Sequence, residues 1–226
     1  MVIKAVLIDI DNTILDFNKS AEISIINTAK HYGIILPEDY FEVFLRVNDL
    51  LWKKLENGEI IKQDIYNNRF NMIFGELGIS FDGPLFEEAF RKEMRNTAIP
   101  VEGAKELLSY LSEKYAVYTA SNASRLQQET RLKKNGFDKY ISGMFTSEEL
   151  GFQKPAKEFF ALCCEAIYPI TPSEIIVIGD SVDADIIGAK NFGLKTIWFN
   201  FNNITYETYS FTDYHVNSLS EIKTIL

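Results

Sequence analysis

The chain is poor in the residues that build most soft-metal sites and nucleophile pairs: among 226 residues there are two cysteines and two histidines. Cys163 and Cys164 are adjacent and fall in a helical pattern, with no spacing that suggests zinc ligation. They read as reduced packing residues of a cytoplasmic protein. His31 and His215 alone exclude a multi-histidine metal site, and they leave little material for a Ser-His or Cys-His nucleophile pair. No apolar run is long enough to span a membrane, and Lys4 amid a short apolar run that ends in acid does not read as a signal peptide. Positive charge is scarce too. Lys and Arg number 23 against 32 Asp and Glu, a net charge of −9, so bulk electrostatics would draw neither nucleic acid nor an anionic membrane. An anionic substrate needs a local positive site or a metal ion.

What is present is an ordinary globular composition, 46% hydrophobic and 24% charged, on a chain long enough for one domain or a domain with an insertion. Val6, Leu7, Ile8 and Ile10 predict a buried first strand. Four helical patterns follow without a strand among them, the last around Leu85 to Met94. From Pro100 onward the pattern alternates. Strands are predicted at Ala116–Ala120, near Met144-Phe145, at Ile175–Ile178 and at Thr196–Phe199, with helices between them at Arg125–Asn135, Ala156–Ile167 and Asp183–Phe192. Such alternation implies a parallel sheet covered by helices on both faces. A lone first strand has no partner in a helical region and so belongs to that sheet. The expected organisation is a discontinuous α/β core, a Rossmann-like doubly wound parallel sheet over 1–15 and 97–226, with an all-helical insertion over 16–96. The stretch from Asn200 to Thr212 has no clear period and is left unplaced.

In open parallel sheets ligands bind beyond the carboxyl ends of the strands, so the residues ending each strand carry the chemistry. The first strand runs into Asp9-Ile10-Asp11-Asn12-Thr13. Residues two apart on a strand project to one side, which would bring Asp9 and Asp11 together, where one must protonate or a cation must lie between them. Asp-Asn-Thr is equally ordinary turn and helix-cap material. The second strand ends in Thr119-Ala120-Ser121-Asn122, and the strand through Val177 ends in Gly179-Asp180-Ser181-Val182-Asp183-Ala184-Asp185. Gly151-Phe152-Gln153-Lys154-Pro155 precedes the helix leading to that strand. Each piece has a plain structural reading: Ser121-Asn122 as a cap, Lys154 as a solvated lysine, Asp183 and Asp185 as helix N-terminal acids.

Together and in this order, the four segments resemble the motif set of the haloacid dehalogenase-like hydrolase superfamily. The resemblance implies a role for each residue. Asp9 would be the nucleophile of an aspartyl-phosphate mechanism. Asp11 would protonate the leaving oxygen and then take a proton from water. Mg²⁺ would be held by Asp9, the backbone carbonyl of Asp11, and Asp180. Ser121, Asn122 and Lys154 would hold phosphoryl oxygens, and Asp185 would support the metal or orient Lys154. Dehalogenases of this superfamily lack an acid at the place of Asp11, which points to a phosphatase.

The helical insertion resembles the mobile cap of the superfamily's first cap class. Asn48 on the stripe of Phe44, Leu45, Leu51 and Trp52, and Arg69 on that of Tyr66, Phe70 and Ile73, are polar residues on apolar faces. Asn48, Trp52 and Arg69 are the cap's candidates for reading substrate; the competing reading of the two polar ones is a buried partner. Val47-Asn48-Asp49-Leu50-Leu51-Trp52, Asn57-Gly58-Glu59-Ile60, Arg69-Phe70, and the core runs Leu126–Leu132, Ser147–Gly151 and Gly193–Asn200 are similar to the YjjG-type pyrimidine nucleotidase branch. Ala123 stands where that branch usually has Gly. The implied activity is Mg²⁺-dependent hydrolysis of a small phosphomonoester, a pyrimidine nucleoside 5′-monophosphate first. The alternatives are a broad sugar-phosphate phosphatase and a non-catalytic sensor of a phosphorylated ligand.

Overall fold

A strand with four successive apolar residues, all at 0% exposure, belongs in the middle of a sheet that is covered on both faces, and Ala5–Ile8 (β1) is such a strand. The computed structural model describes residues 2–206 and 208–226. These divide into two compact units, one formed by the residues up to Phe17 with Ala98–Leu226, the other by Asn18–Thr97.

The elements follow in chain order. After β1 come four helices, α1 (Phe17–Tyr32), α2 (Tyr40–Glu56), α3 (Lys62–Leu77) and α4 (Gly83–Asn96). Then follow α5 (Ala104–Lys114), β2 (Ala116–Ser121), α6 (Arg125–Lys134), β3 (Gly143–Thr146), α7 (Ser147–Leu150), α8 (Lys157–Ala166) and β4 (Ile175–Gly179). A π-helical turn at Val182–Ile187 runs into α9 (Gly188–Phe192), and β5 (Lys195–Phe199), β6 (Tyr214–Val216) and α10 (Ile222–Ile225) complete the chain.

The sheet has six strands in the order β3-β2-β1-β4-β5-β6, every pair parallel. The strand order reverses direction at β1, which puts the binding crevice of a doubly wound sheet beyond the ends of β1, β2 and β4. The period-two alternation of β1 splits the core. Val6 and Ile8 pack with Leu107, Leu108 and Leu111 of α5 on one face, while Ala5 and Leu7 pack with Phe159, Phe160 and Cys163 of α8 on the other. Cys163 and Cys164 are buried free thiols in that second layer.

Two expectations are corrected. β1 stops at Ile8, two residues short of Ile10, because the carbonyl of Ile10 accepts the amides of Thr13, Ile14 and Leu15 and closes a tight turn instead of extending a ladder. Asn12 takes the left-handed conformation that the turn needs (φ 59), and its side-chain oxygen accepts the amide of Phe17 at the head of α1. The helix predicted from Asp183 opens as a π-helical turn capped by Ser181, whose Oγ accepts the Ala184 amide at 3.1 Å. The stretch left unplaced, Asn200 to Thr212, holds no strand among the described residues; its Tyr206, Tyr209 and Phe211 rings lie 5.5–5.9 Å from Trp198, and the residues after it form β6 against β5.

The helical unit has a core of phenylalanine rings. Phe70 lies 4.5 Å from Phe86 and 5.2 Å from Phe90 between ring centroids, and Phe44 lies 5.7 Å from Phe90. No helix among the described residues is long and apolar enough to cross a membrane.

Candidate active site

Lys154 is the hub. It sits in the loop before α8 at 3% exposure, and its Nζ donates to Asp9 Oδ1 at 2.6 Å, Asp185 Oδ1 at 2.6 Å and the carbonyl of Ala120 at 2.8 Å. An ammonium has three protons, and each has an acceptor from a different strand end. Its position is built by two neighbours. Asn122 clamps the Lys154 backbone reciprocally, its Oδ1 accepting the amide and its Nδ2 donating to the carbonyl, both at 2.9 Å. Gly188 lets Pro155 pack against the start of α9, where a Cβ would come within 2.8 Å of the proline ring.

Asp9, Asp180 and Asp185 each present a carboxylate oxygen, all within 4.8 Å of one another. Asp9 and Asp185 are buried and Asp180 is partly exposed. Burial pushes Asp9 up to about 8; the neighbouring Asp185 and Asp11 add to this and Lys154 opposes it. Asp180 is raised for the same reasons, desolvation first and then the charges of Asp9 and Asp185. Burial alone would lower Lys154, and the carboxylates of Asp185 and Asp9 more than reverse it. One ammonium thus faces three carboxylates, and the protein's own charges do not neutralise the cluster. An all-oxygen donor set short of positive charge fits a hard divalent cation such as Mg²⁺.

Two further contacts shape this cluster. Gly179 ends β4 where a Cβ would meet the Asp185 carboxylate at 2.2 Å, so only a glycine lets Asp185 fold back beside Lys154. Trp198 Nε1 donates to the carbonyl of Asp180 at 2.8 Å and anchors that backbone from β5.

The two acids of the first strand part company. Asp9 joins the lysine, while the Asp11 carboxylate turns toward α6. There Arg131 Nη1 donates to Oδ1 at 2.5 Å and Gln128 Nε2 to Oδ2 at 2.6 Å. Asp11 still lies near enough to add to the upward push on Asp9, but the two carboxylates take different partners, because β1 has already ended and the turn re-aims the second. Gln128 Nε2 also donates to Ser121 Oγ at 2.9 Å, and the Ala123 amide donates to the same oxygen at 3.1 Å. Of the residues foreseen in the core, Asp9, Lys154, Asp180 and Asp185 therefore form one cluster. Asp11 and Ser121 are joined through Gln128, and Asn122 bonds the lysine loop.

Gln128, Arg131, Gly179, Gly188 and Trp198 were missed. The first two carried a signal: polar residues three apart, with Leu132, on the buried face of a short helix.

In the helical unit Arg69 and Asn48 are joined. Arg69 donates to Glu87 at 2.6 and 3.0 Å and to Asn48 Oδ1 at 2.8 Å, and its guanidinium lies 5.0 Å from the Phe90 ring centroid. Trp52 is half-buried. The side chains of Arg69 and Glu87 are 5% and 2% exposed, so Arg69→Ala would strand a buried carboxylate. A loss on the order of 3–5 kcal/mol is expected, read from denaturant unfolding, and an unchanged midpoint would contradict it.

These features define a class: a doubly wound α/β protein whose polar centre is built of carboxylates around one lysine. The chain belongs to the haloacid dehalogenase-like hydrolases, whose family profile matches residues 3–193. It is 32% identical over 222 residues to pyrimidine 5′-nucleotidase PynA of Streptococcus pneumoniae, covering 94% of each chain. It is 27% identical to pyrimidine 5′-nucleotidase YjjG of Escherichia coli, over 98% of this chain and 96% of that one. Among solved structures, the magnesium-bound HAD-hydrolase YfnB of Bacillus subtilis, described as revealing interdomain movement, superposes with a TM-score of 0.94. The identity is 30%, with 100% of this chain and 99% of that one covered.

Proposed function

We propose that the chain is a Mg²⁺-dependent phosphomonoesterase that works through an aspartyl-phosphate on Asp9, with pyrimidine nucleoside 5′-monophosphates as its preferred substrates. The observation that carries this reading is the grouping of Asp9, Asp180 and Asp185 around Lys154 at the strand ends. The two pyrimidine nucleotidase relatives support the substrate class.

In this reading Asp9, Asp180 and the Asp11 backbone carbonyl hold the cation, with Asp185 orienting Lys154. When bound, the cation supplies the positive charge that lets a carboxylate approach a phosphate dianion. An Asp9 oxygen attacks phosphorus, the bond to the leaving oxygen breaks, and that oxygen takes a proton from Asp11. Water then attacks the phosphorus of the acyl phosphate and gives a proton to Asp11; the bond to Asp9 breaks, releasing phosphate and restoring the carboxylate. Ser121, and Lys154 once it exchanges its bond to Asp9 for one to the substrate, would hold the phosphoryl oxygens. Trp52 is the helical unit's candidate for recognising the base, since Asn48 and Arg69 already bond inside that unit.

The test is phosphate release from pyrimidine and purine monophosphates, sugar phosphates and cofactor phosphates, with and without Mg²⁺. A clear preference for the pyrimidine nucleotides is expected. Equal rates across the panel would reject the nucleotidase reading and leave a broad phosphatase, and no Mg²⁺-dependent release would reject both. Gly179→Ala should displace Asp185 and lower Mg²⁺ affinity by about 10- to 100-fold, as supporting residues of metal sites do. Calorimetric titration would check this, and wild-type affinity in that variant would contradict the packing argument.

A further inference from the structure

α6 buries two polar side chains that the chemistry described so far does not use. Gln128 and Arg131 are both at 0% exposure. Arg131 Nε and Nη2 have no hydrogen-bond partner among the described residues. Burying a guanidinium with part of its donor set unpaired is expensive, and an aliphatic residue of similar volume often serves stability better. The side-chain hydrogen bonds of the two residues run to Asp11, to Ser121 and to each other.

We infer that Gln128 and Arg131 are positioning residues for both the proton carrier and the phosphate-holding hydroxyl. The inference rests on the phosphomonoesterase reading above. Arg131 Nη1 binds Asp11 Oδ1 and Gln128 Oε1, at 2.5 and 3.0 Å, and Gln128 Nε2 binds Asp11 Oδ2 at 2.6 Å. With one donor on each oxygen, the Asp11 carboxylate has its rotation about χ2 fixed. Left to itself, a carboxylate standing just past a strand end would sample several rotamers, most of them unable to pass a proton to the leaving oxygen. Gln128 does a second thing. Together with the Ala123 amide it occupies both lone pairs of Ser121 Oγ, at 2.9 and 3.1 Å. A hydroxyl with both acceptor sites filled can act only as a donor, which is the role a phosphoryl oxygen requires. One amide therefore links the group that moves the proton to a group that holds the phosphate.

The two residues should fail differently. Arg131 bonds Asp11 directly and reaches Ser121 only through Gln128 Oε1, so on kcat/KM, which reads the first displacement, Arg131→Met should act mainly on delivery of a proton to the leaving oxygen. For an alkyl phosphomonoester, kcat/KM should fall on the order of 10²-fold; for p-nitrophenyl phosphate, whose leaving group departs without protonation, it should fall less than about tenfold. Gln128→Leu should lower kcat/KM for both esters, because it also frees the Ser121 hydroxyl to rotate. In an Asp11→Asn background, Arg131→Met should add no further loss on the alkyl ester, since its target has gone.

Equal losses on the two esters in Arg131→Met, no loss in either, or a further loss in the Asp11→Asn background would overturn the inference. Thermal melts accompany each variant. If Arg131→Met does not fold, Gln128→Leu decides by its loss on both esters, and if neither folds, the network serves stability and the inference is wrong. Wild-type phosphate release with Mg²⁺ is measured first, so failure of the underlying phosphatase reading shows as an inactive parent and is separate from any result with the variants.

Discussion

Asp9→Asn should abolish Mg²⁺-dependent phosphate release, with a loss of roughly 10⁴-fold or more, the scale on which removing a nucleophile acts. The size of the effect follows from what the amide cannot do. Asparagine nearly matches aspartate in shape, so Lys154, Ser121 and the strand-end turn keep their places, but its nitrogen and oxygen do not displace an alkoxide from phosphorus. Asp9 Oδ1 is 2.6 Å from Lys154 Nζ, and the neutral amide oxygen can still accept that hydrogen bond. The variant should therefore remain folded, and nucleotide binding should outlast turnover. The measurement is phosphate release under saturating nucleotide, together with acid-quench trapping of hydroxylamine-labile phosphate on the protein, which the wild type should form and the variant should not. Retained turnover in Asp9→Asn would sink the covalent mechanism.

Mg²⁺ should stabilise the folded chain, and more at pH 8 than at pH 5. A carboxyl group whose folded pKa is raised is more protonated in the folded state than in the unfolded one. Such a group makes stability fall as pH rises from its unfolded value toward its folded value. For Asp9 those values are 3.8 and about 8, and Asp180 shifts in the same direction. The metal-free chain should therefore lose stability between about pH 4 and pH 8 through Asp9, with Asp180 acting in the same direction. A cation binding the cluster must displace the protons, so its affinity rises over the same window, and the stabilisation it brings rises with it. At a concentration near 100 times its dissociation constant, a ligand of the folded state adds about 2.7 kcal/mol. For a chain of this size that is a melting shift of about 5–10 °C. Melting curves with and without Mg²⁺ at the two pH values give the answer. The account fails if the increment is the same at both, or if Mg²⁺ has no effect at pH 8.

The local features of the sequence were enough to set the architecture. Continuous apolar runs such as Ile175–Ile178 can only be central strands of a covered sheet, and the helical stretch between Asp9 and Pro100 offered the first strand no partner. Asp9, Asp180 and Ser121 were legible because in a parallel sheet the strand ends converge, so residues at the ends of separate runs become neighbours without any contact having to be known; Lys154 and Asp185 were singled out by the resemblance of the four segments to the family's motif set. The tail at Tyr214–Val216 was not legible, because an edge strand of three residues carries no periodicity worth reading.

What the sequence by itself determined, then, was which residues lie at the carboxyl edge and what chemistry their side chains can do. Only the tertiary structure decided which partners they take. Asp9 and Asp11 are two residues apart, and nothing in their spacing says that one faces a lysine from the loop before α8 while the other faces an arginine from α6. That split depends on where β1 ends and a turn begins, which is set by amides of Thr13, Ile14 and Leu15 competing for the Ile10 carbonyl. The same holds for Arg69. Its place on an apolar stripe was visible, but its partner Glu87 lies 18 residues away on another helix. Local periodicity reports which face of an element is buried; it carries no information about which distant donor meets which acceptor, because that is fixed only when the elements pack.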